Sequence, residues 1–381
     1  MTRLLINGWS LGMGAVGQGA YSVRLLEGLA RHGGGVRERT TVLLPAAILE
    51  EWRARLAPLG VEALRTARWG HPLLDALAWN RRLLADPRLR ERDTLFFSPG
   101  GCWGGPPPPR MAITHHDCIY RHFPVYLGRR GLRRWATFRT ERYLRHARIV
   151  FTESDHARAD IAAHTGVPLE RIRSIPAWLP PEFSPASARE RLPAVRQRYR
   201  LPDRYWLYLG GYDVRKNVEA LLRAYAMARR AAPCPPLVLA GRIPTRRAPT
   251  LCDVAGARRE TGFGTDTLCE PGFIADADLP ALYAGAELFV YPSLMEGYGL
   301  PPMEAMGCGC PAWAADNSSL REVVRDTDYR FDARDVAALA ERLAAAAQQP
   351  PPMNPSFRRE DHDERTAITA YLDALLGMRA P

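Results

Sequence analysis

The sequence has almost no lysine. Of its 381 residues 52 are Lys or Arg, and all but one of these are arginine; the exception is Lys216, inside GGYDVRKN (210–217). Arginine is therefore the default cation here, and an isolated arginine says little. Long apolar runs are also missing. No stretch approaches the roughly 20 uninterrupted apolar residues that a membrane-spanning helix needs. The opening MTRLLINGWSLGMG is too short and too rich in glycine for the apolar core of a secretory signal, and it reads as a first buried strand. Cysteine is sparse and scattered. The count of seven is odd, and the one close pair, Cys308-Gly-Cys310, lacks the two-residue spacer of a zinc knuckle. Free thiols in a reducing cytoplasm are expected. No sequence repeat relates the two halves.

What is present is the composition of a globular protein, 46% hydrophobic and 24% charged. The chain is too long for one ordinary core, so two domains are expected. A formal charge of +11 admits nucleic acid, an anionic membrane or phosphorylated substrates as partners.

Short apolar runs recur with helical segments between several of them: RLLINGW, TTVLLP, DTLFFSP, MAITHHD and RIVFTES. This alternation predicts an α/β domain with a largely parallel sheet. Residues 176–202, with PAWLPPEFSPASARERLPAV, read as a proline-rich connector. A second array follows in YWLYLGG, PLVLAGR, TLCEPGF, AELFVYPS and CPAWAA. The expected domains are residues 1–180 and 186–358, two Rossmann-like α/β units forming a cleft, with ligands beyond the carboxyl ends of the strands. The tail, 361–378, has helical spacing at Ile368, Tyr371, Leu372 and Leu375.

Five stretches carry chemistry. Gly12-Met-Gly14-Ala-Val-Gly17 matches the dinucleotide fingerprint literally. Its supporting carboxylate should end the next strand, which here ends LLPAA, so a dinucleotide cofactor is a minor reading. A glycine-rich turn that offers amides to a phosphate remains. ITHHDCI (113–119) places His-His-Asp at a strand end, fit either for sugar hydroxyls or a proton or for plain packing. In GGYDVRKN, Asn217 or Asp213 can cap the helix that follows. Arg215 and Lys216 sit unfavourably against its dipole, which a bound anion would relieve; a diphosphate suits an arginine fork beside a lysine point charge. In SLMEGYGLPPMEAMGCGCP (293–311), Glu296 and Glu304 have seven residues between them. Pro301 suits a helix's first turn, so Glu296 falls in a loop and Glu304 in the first turn or so of the helix. Carboxylates and free amides arranged this way suit sugar hydroxyls and phosphate. Finally, RRGLRRWATFRTERYLRHAR (129–148) holds eight arginines among aromatics. It is a basic amphipathic helix for an anionic membrane, a nucleic-acid surface, or a solvated helix.

Three Asp-x-Asp triplets, at 276/278, 326/328 and 361/363, are expected to bind no metal. Asp276-Ala-Asp278 reads as helix capping, and Ser319-Leu-Arg-Glu322 as a capping box.

The segment EGYGLPPMEAMGCGCPAWAADNSSLREVV resembles the signature of glycosyltransferase family 4, retaining transferases of the GT-B fold. The resemblance extends through LGGYDVRKNVEALLRAYA, VLAGR, GFIADADLPALYAGAELFVYPS, THHDCIYRHFP and FTESDHARADIAAHTGVPLERIRSIP. It implies that Arg215 and Lys216 hold the donor diphosphate in place of a metal, and that Glu296 contacts the donor sugar. Gly297, Tyr298, Gly299 and Leu300 would offer amides, and Glu304 would bind the ribose. The loop around Gly17 and Gly19 would close on the diphosphate. His116 with Asp117 would lie by the sugar, Phe273 and Ile274 near the base, and Gly211, Gly241 and Arg242 close to the nucleotide. The tail helix would cross back to the first domain. Two departures stand out: Ala177 and Trp178 replace asparagine and glycine in the hinge segment, and Tyr298 stands where phenylalanine is usual.

The resemblance implies a hexosyltransferase using a nucleotide diphosphate sugar, first GDP-mannose and next UDP-glucose or UDP-GlcNAc. The acceptor would be a glycan or a polyprenyl-linked sugar. No cofactor, metal or nucleic acid is expected. A cytoplasmic protein, peripheral on the membrane's inner face through 129–148, fits the charge. A GT-B-like phosphorylase or epimerase, and a basic nucleic-acid-binding protein without catalysis, are the alternatives.

Overall fold

A computed structural model of the chain describes residues 2–13, 17–66, 70–102, 105–127, 131–264 and 267–377. The chain divides into two compact units, one of Met1–Trp178 with Asp363–Pro381, the other of Leu179–His362.

The first unit is built on seven parallel strands: β1 (Arg3–Asn7), β2 (Thr40–Pro45), β3 (Gly60–Leu64), β4 (Thr94–Ser98), β5 (Met111–Thr114), β6 (Ile149–Thr152) and β7 (Ile172–Ser174). Their order is β3-β2-β1-β4-β5-β6-β7. Successive side chains of a strand point to opposite faces, and the apolar runs supply both. Leu4, Ile6, Val42, Leu44, Leu95 and Phe97 enter one core. Their neighbours Leu5, Leu43, Phe96, Met111 and Ile113 enter the other. β3 and β7 escaped the sequence reading. β3 is an edge strand with only Val61 and Leu64 as larger apolar residues, and β7 is three residues long.

The tail helix, Glu364–Leu376, completes the first of these cores with Ile368, Tyr371 and Leu375. Asp363 caps it by accepting from the Thr366 N–H at 2.8 Å. The helix lies against helix Gln18–His32, where a Cβ on Gly28 would stand 2.7 Å from Ile368 Cδ1. The glycine is what permits that approach. The hydroxyls of Tyr371 and Tyr21 then meet at 2.9 Å.

The second unit carries six parallel strands: β8 (Trp206–Leu209), β9 (Leu237–Ala240), β10 (Leu268–Gly272), β11 (Leu288–Tyr291), β12 (Ala312–Ala315) and β13 (Arg330–Phe331). Their order is β10-β9-β8-β11-β12-β13. β13, two residues long, had no period to read.

The expected connector is more ordered than its prolines imply. Pro185–Tyr199 is a helix. Ser184 caps it and Pro185 occupies its first turn, where the missing N–H costs nothing. Pro193 removes one internal hydrogen bond. Tertiary contacts offset this: Ala188 and Val195 are buried, and Arg191, Arg198 and Tyr199 all reach the Asp278 carboxylate, at 3.0, 2.7 and 3.0 Å. Asp278 is therefore no helix cap. It precedes helix Leu279–Ala284 without capping it, because its charge is taken up by two guanidiniums and a phenol.

Candidate active site

In the second unit the strand order reverses between β8 and β11, which pair side by side. The loops leaving adjacent strands at such a switch point form a ligand-binding crevice at the strands' carboxyl ends. Here those loops are 210–217 and 292–299, so residues some 80 positions apart converge.

Lys216 is 8% exposed. Its Nζ donates to Glu296 Oε1 at 2.7 Å and to the Tyr291 hydroxyl at 2.5 Å. Arg215 Nη1 lies 2.6 Å from Glu296 Oε2 and donates to the Met295 carbonyl at 2.9 Å; its Nε is 3.3 Å from Asp213 Oδ1. Glu296 thus bridges the two cations. Burial alone would raise the Glu296 pKa; Lys216 and Arg215 overcome it and hold the carboxyl at about 2. Burial pushes the Lys216 ammonium down, and Glu296 offsets part of that push. Burial also works against the Arg215 charge, but Glu296 and Asp213 outweigh it and raise its pKa.

Neither expected cap forms beside this cluster. Asn217 precedes helix Val218–Ala231 in the left-handed region, φ 56°, and its side chain caps nothing there. Its amide instead donates to the carbonyls of Ala333 at 2.7 Å and Pro292 at 3.3 Å. Asp213 is engaged with Arg215. The loop's orphan carbonyls and the neighbouring cation compete successfully for both side chains.

The Glu296 loop is fixed from two sides. The Leu294 N–H donates to the Arg215 carbonyl at 2.7 Å. The Glu296 N–H donates to Ser318 Oγ at 3.0 Å, and Asn317 Nδ2 to the Ser293 carbonyl at 3.0 Å. The expected capping box is absent: Ser319 makes no cap to helix Leu320–Val323. Its hydroxyl lies 2.6 Å from the Tyr298 carbonyl and 2.9 Å from that of Glu296. Those carbonyls bend away from any ladder and need a donor. Gly299 sits at φ 129°, and a Cβ there would meet Leu320 Cδ2 at 2.9 Å.

Helix Leu300–Gly307 begins at Leu300 with Pro301 in its first turn. Glu304 is its fifth residue, just past the first turn, as the spacing implies. It is buried, and Oε2 accepts from the Tyr283 hydroxyl at 3.0 Å. Tyr298 is also buried, its hydroxyl 3.5 Å from His362 Nδ1. Gly297 lies between Glu296 and Tyr298 in this loop.

The ends of β8, β9 and β10 approach closely. Gly241 has φ +117°, and a Cβ on it would stand 2.5 Å from the Gly210 carbonyl oxygen; its N–H donates to the Gly272 carbonyl at 2.8 Å. Gly211, next to Gly210, accepts at its carbonyl from Tyr208. Phe273, 52% exposed, carries the Arg242 guanidinium 5.2 Å from its ring centroid. Ile274 is buried, so what it can offer a ligand is backbone.

In the first unit, His116 follows β5. Its Nδ1 is 2.5 Å from Glu153 Oε1, at the end of neighbouring β6, and its Nε2 is buried without a hydrogen-bond partner. Burial would lower the His116 pKa; Glu153 more than compensates and raises it. His115 is partly buried and lacks that carboxylate, and desolvation pushes its pKa down to about 4. Tyr21 meets the His116 ring edge-on at 4.8 Å. Asp117 Oδ1 accepts from the Ile119 N–H at 3.1 Å. Gly17, φ 56°, precedes helix Gln18–His32, whose first amides carry no side-chain cap. Gly19 lies inside that helix and not in the loop. Gly14, Ala15 and Val16, the middle of the glycine fingerprint, lie outside the described residues. Gly12 falls in the 3-10 turn Trp9–Met13, between β1 and the helix Gln18–His32.

Of the arginine-rich stretch, Leu132–His146 is a helix; residues 129–130 lie outside the described residues. Tyr143 and Leu144 are buried, while Arg134, Trp135, Arg142 and Arg145 are exposed. Among the described residues no helix is long and apolar enough to cross a membrane.

Tyr291, Glu153, Asn317 and Ser318 were not singled out in the sequence. Tyr291 reads there as one more residue of an apolar strand, and Glu153 as one more strand-end polar residue.

Two parallel doubly wound sheets with the site at the strands' carboxyl ends define a GT-B architecture of two Rossmann-like domains. Residues 194–361 match the family of glycosyl transferases group 1. O-antigen chain mannosyltransferase B of Escherichia coli is 34% identical over 241 residues, 63% of this chain and 61% of that protein. The serotype-specific mannosyltransferase WbdA of the same organism is 33% identical over 232 residues, 60% of this chain and 28% of that protein. The chain thus spans less than two thirds of the length of these relatives. Among solved structures, Anabaena Alr3699/HepE in complex with UDP and glucose superposes with a TM-score of 0.69 at 17% identity, covering 99% of this chain and 100% of that one. WaaG, a glycosyltransferase involved in lipopolysaccharide biosynthesis, gives 0.64 at 15% identity, covering 98% and 100%.

Proposed function

We propose that the chain is a retaining hexosyltransferase of family 4. It moves a sugar, mannose from GDP-mannose first, from a nucleotide diphosphate to a hydroxyl of a glycan or lipid-linked acceptor in cell-surface polysaccharide or glycolipid synthesis. The second unit takes the donor and the first the acceptor. The observation that carries this reading is the Arg215–Lys216 pair, with Lys216 buried and Arg215 partly buried, held by Glu296 at the switch point of the second sheet.

The chemistry follows from that pair. As the bond from the anomeric carbon to the diphosphate oxygen lengthens, negative charge grows on the leaving phosphate. Two pre-placed cations stabilise it without reorganisation, and they supply this charge without a metal. The acceptor oxygen attacks on the face the phosphate leaves, and the departing phosphate takes its proton. The protein positions the reactants; no side chain forms a bond to the sugar. Glu153 raises the His116 pKa, and the His116 Nε2, which has no hydrogen-bond partner, donates to a sugar hydroxyl. Glu304 serves the ribose, and exposed Phe273 serves the base by stacking.

Two mannosyltransferases at 33–34% identity support mannose. A UDP-sugar donor is the second reading, supported by the UDP-bound fold neighbour. We place the protein in the cytoplasm, peripheral on the membrane through exposed Arg134, Trp135, Arg142 and Arg145. Thermal-shift measurement with GDP-, UDP-, ADP- and dTDP-sugars, followed by transfer assays, tests the reading. GDP-mannose should give the largest shift. The absence of a shift with every nucleotide would remove the enzyme reading, and turnover without acceptor would point to a phosphorylase or epimerase. Steep salt-dependent nucleic-acid binding in its place would point to a binding protein.

A further inference from the structure

The segment that carries His116 continues into the short helix Ile119–His122, and His122 at its end meets a second helix. On helix Asp155–Thr165, Asp160 and His164 are four residues apart and share one face. Asp160 Oδ1 lies 2.7 Å from His122 Nε2 and 3.2 Å from His164 Nε2. One candidate ligand atom from each residue lies within 4.8 Å of the others. The two imidazole rings stand nearly perpendicular, 5.1 Å between centroids.

We propose that His122, Asp160 and His164 bind a divalent transition-metal ion of the zinc class. Two imidazole nitrogens and one carboxylate oxygen are the donor set such ions take, with positions left for water. A second observation supports the site. The Asp160 side chain is 8% exposed, and its Oδ2 is buried without a hydrogen-bond partner. A carboxylate desolvated in this way calls for a cation. The two histidine side chains are 39% and 36% exposed, so an ion reaches the site from solvent. On binding, the ion replaces the proton that joins each imidazole to Asp160. It ties the segment after β5, which carries His116, to the helix after β6, whose end carries Glu153. The ion's role is to pin the two elements that present the His116–Glu153 pair. It is separate from the stabilisation of the leaving phosphate.

The test uses the full chain, freed of metal by chelator and without nucleotide. Zn²⁺ is titrated against a chromophoric competitor, and Co²⁺ is followed by its visible spectrum. One tight equivalent and a raised Tm are expected. In the His122→Gln/His164→Gln double variant affinity should fall at least a hundredfold, roughly, since even changes behind metal ligands cost about 10–100-fold. The metal-free Tm of that variant should stay near wild type, because both histidines are partly exposed. His146→Gln, at an exposed histidine elsewhere, should bind as wild type. Equal binding by the double variant would place the ion on other groups, such as the cysteines, and overturn the proposal. Stoichiometric binding absent from the wild type would overturn it too, leaving a histidine–aspartate hydrogen-bond network.

Discussion

Lys216 and Tyr291 are hydrogen-bonded across adjacent strand ends, ammonium to phenol, in a pocket where both side chains are buried. The ammonium has two anchors, Glu296 and this hydroxyl, and also stands 4.9 Å from the Tyr291 ring centroid. A flexible stem is thereby held in one direction, which is what a charge aimed at a leaving group requires.

Removing the hydroxyl should loosen that aim without emptying the pocket. Tyr291→Phe keeps the ring and loses one hydrogen bond to a charged group, typically worth about 1.5–3 kcal/mol. A fall in kcat of roughly tenfold or more is expected, with donor binding less affected. Steady-state kinetics with saturating donor checks this.

Lys216 itself should matter more for turnover than for folding. Lys216→Ala should lower kcat by about a hundredfold or more, the scale seen when one transition-state donor is deleted. Arg215 remains to neutralise Glu296, so circular dichroism should stay native. Lys216→Arg should also lose activity, since a planar fork cannot occupy the site of a point charge between Tyr291 and Glu296.

Acid should act through Glu296. Its folded pKa of about 2 lies below the ordinary 4.5, so its contribution is whole above about pH 4.5 and is lost as pH falls towards 2. Urea denaturation of wild type and Glu296→Gln at pH 6 and pH 3 tests this. The gap between them should be wide at pH 6 and narrower at pH 3.

His116 runs the other way. Its folded pKa is raised above 6.5, so the charged pair with Glu153 contributes fully below pH 6.5. That contribution disappears as pH rises through the raised value. In NMR titrations Glu153→Gln should lower the His116 midpoint, because burial then acts without its counter-charge. An unchanged midpoint would mean that the pair does not control this histidine.

Gly241 tests the close approach of the strand ends. Gly241→Ala introduces a Cβ at φ +117° and 2.5 Å from the Gly210 carbonyl. It should destabilise by more than the usual ~1 kcal/mol of a glycine–alanine change. A Tm equal to wild type would show that the β8 and β9 ends relax freely.

Much of this was legible from residue order. Ten of the thirteen strands stand out as apolar runs, because a strand buried on both faces needs no alternation to be seen. The three that do not are an edge strand and two very short ones. Arg215, Lys216, Glu296 and Glu304 are visible because their glycines and prolines mark loops and helix starts. The local polar assignments fared worse. Asn217, Asp278 and Ser319 each look like caps, and each bonds elsewhere, to Ala333, to Arg191 and Arg198, and to Tyr298. A cap is a contact with residues two or three positions on, and it competes with any better partner the fold delivers.

Sequence alone determined that this chain alternates strand and helix in two arrays, and that a cation pair and a carboxylate loop each follow an apolar strand. Tertiary structure alone decided that β8 and β11 are neighbours, so that Lys216 meets Glu296 and Tyr291, and that β5 and β6 are neighbours, so that His116 meets Glu153. Periodicity and turn chemistry act within a few residues. Partnership across a parallel sheet depends on strand order, which the packing of the whole unit sets.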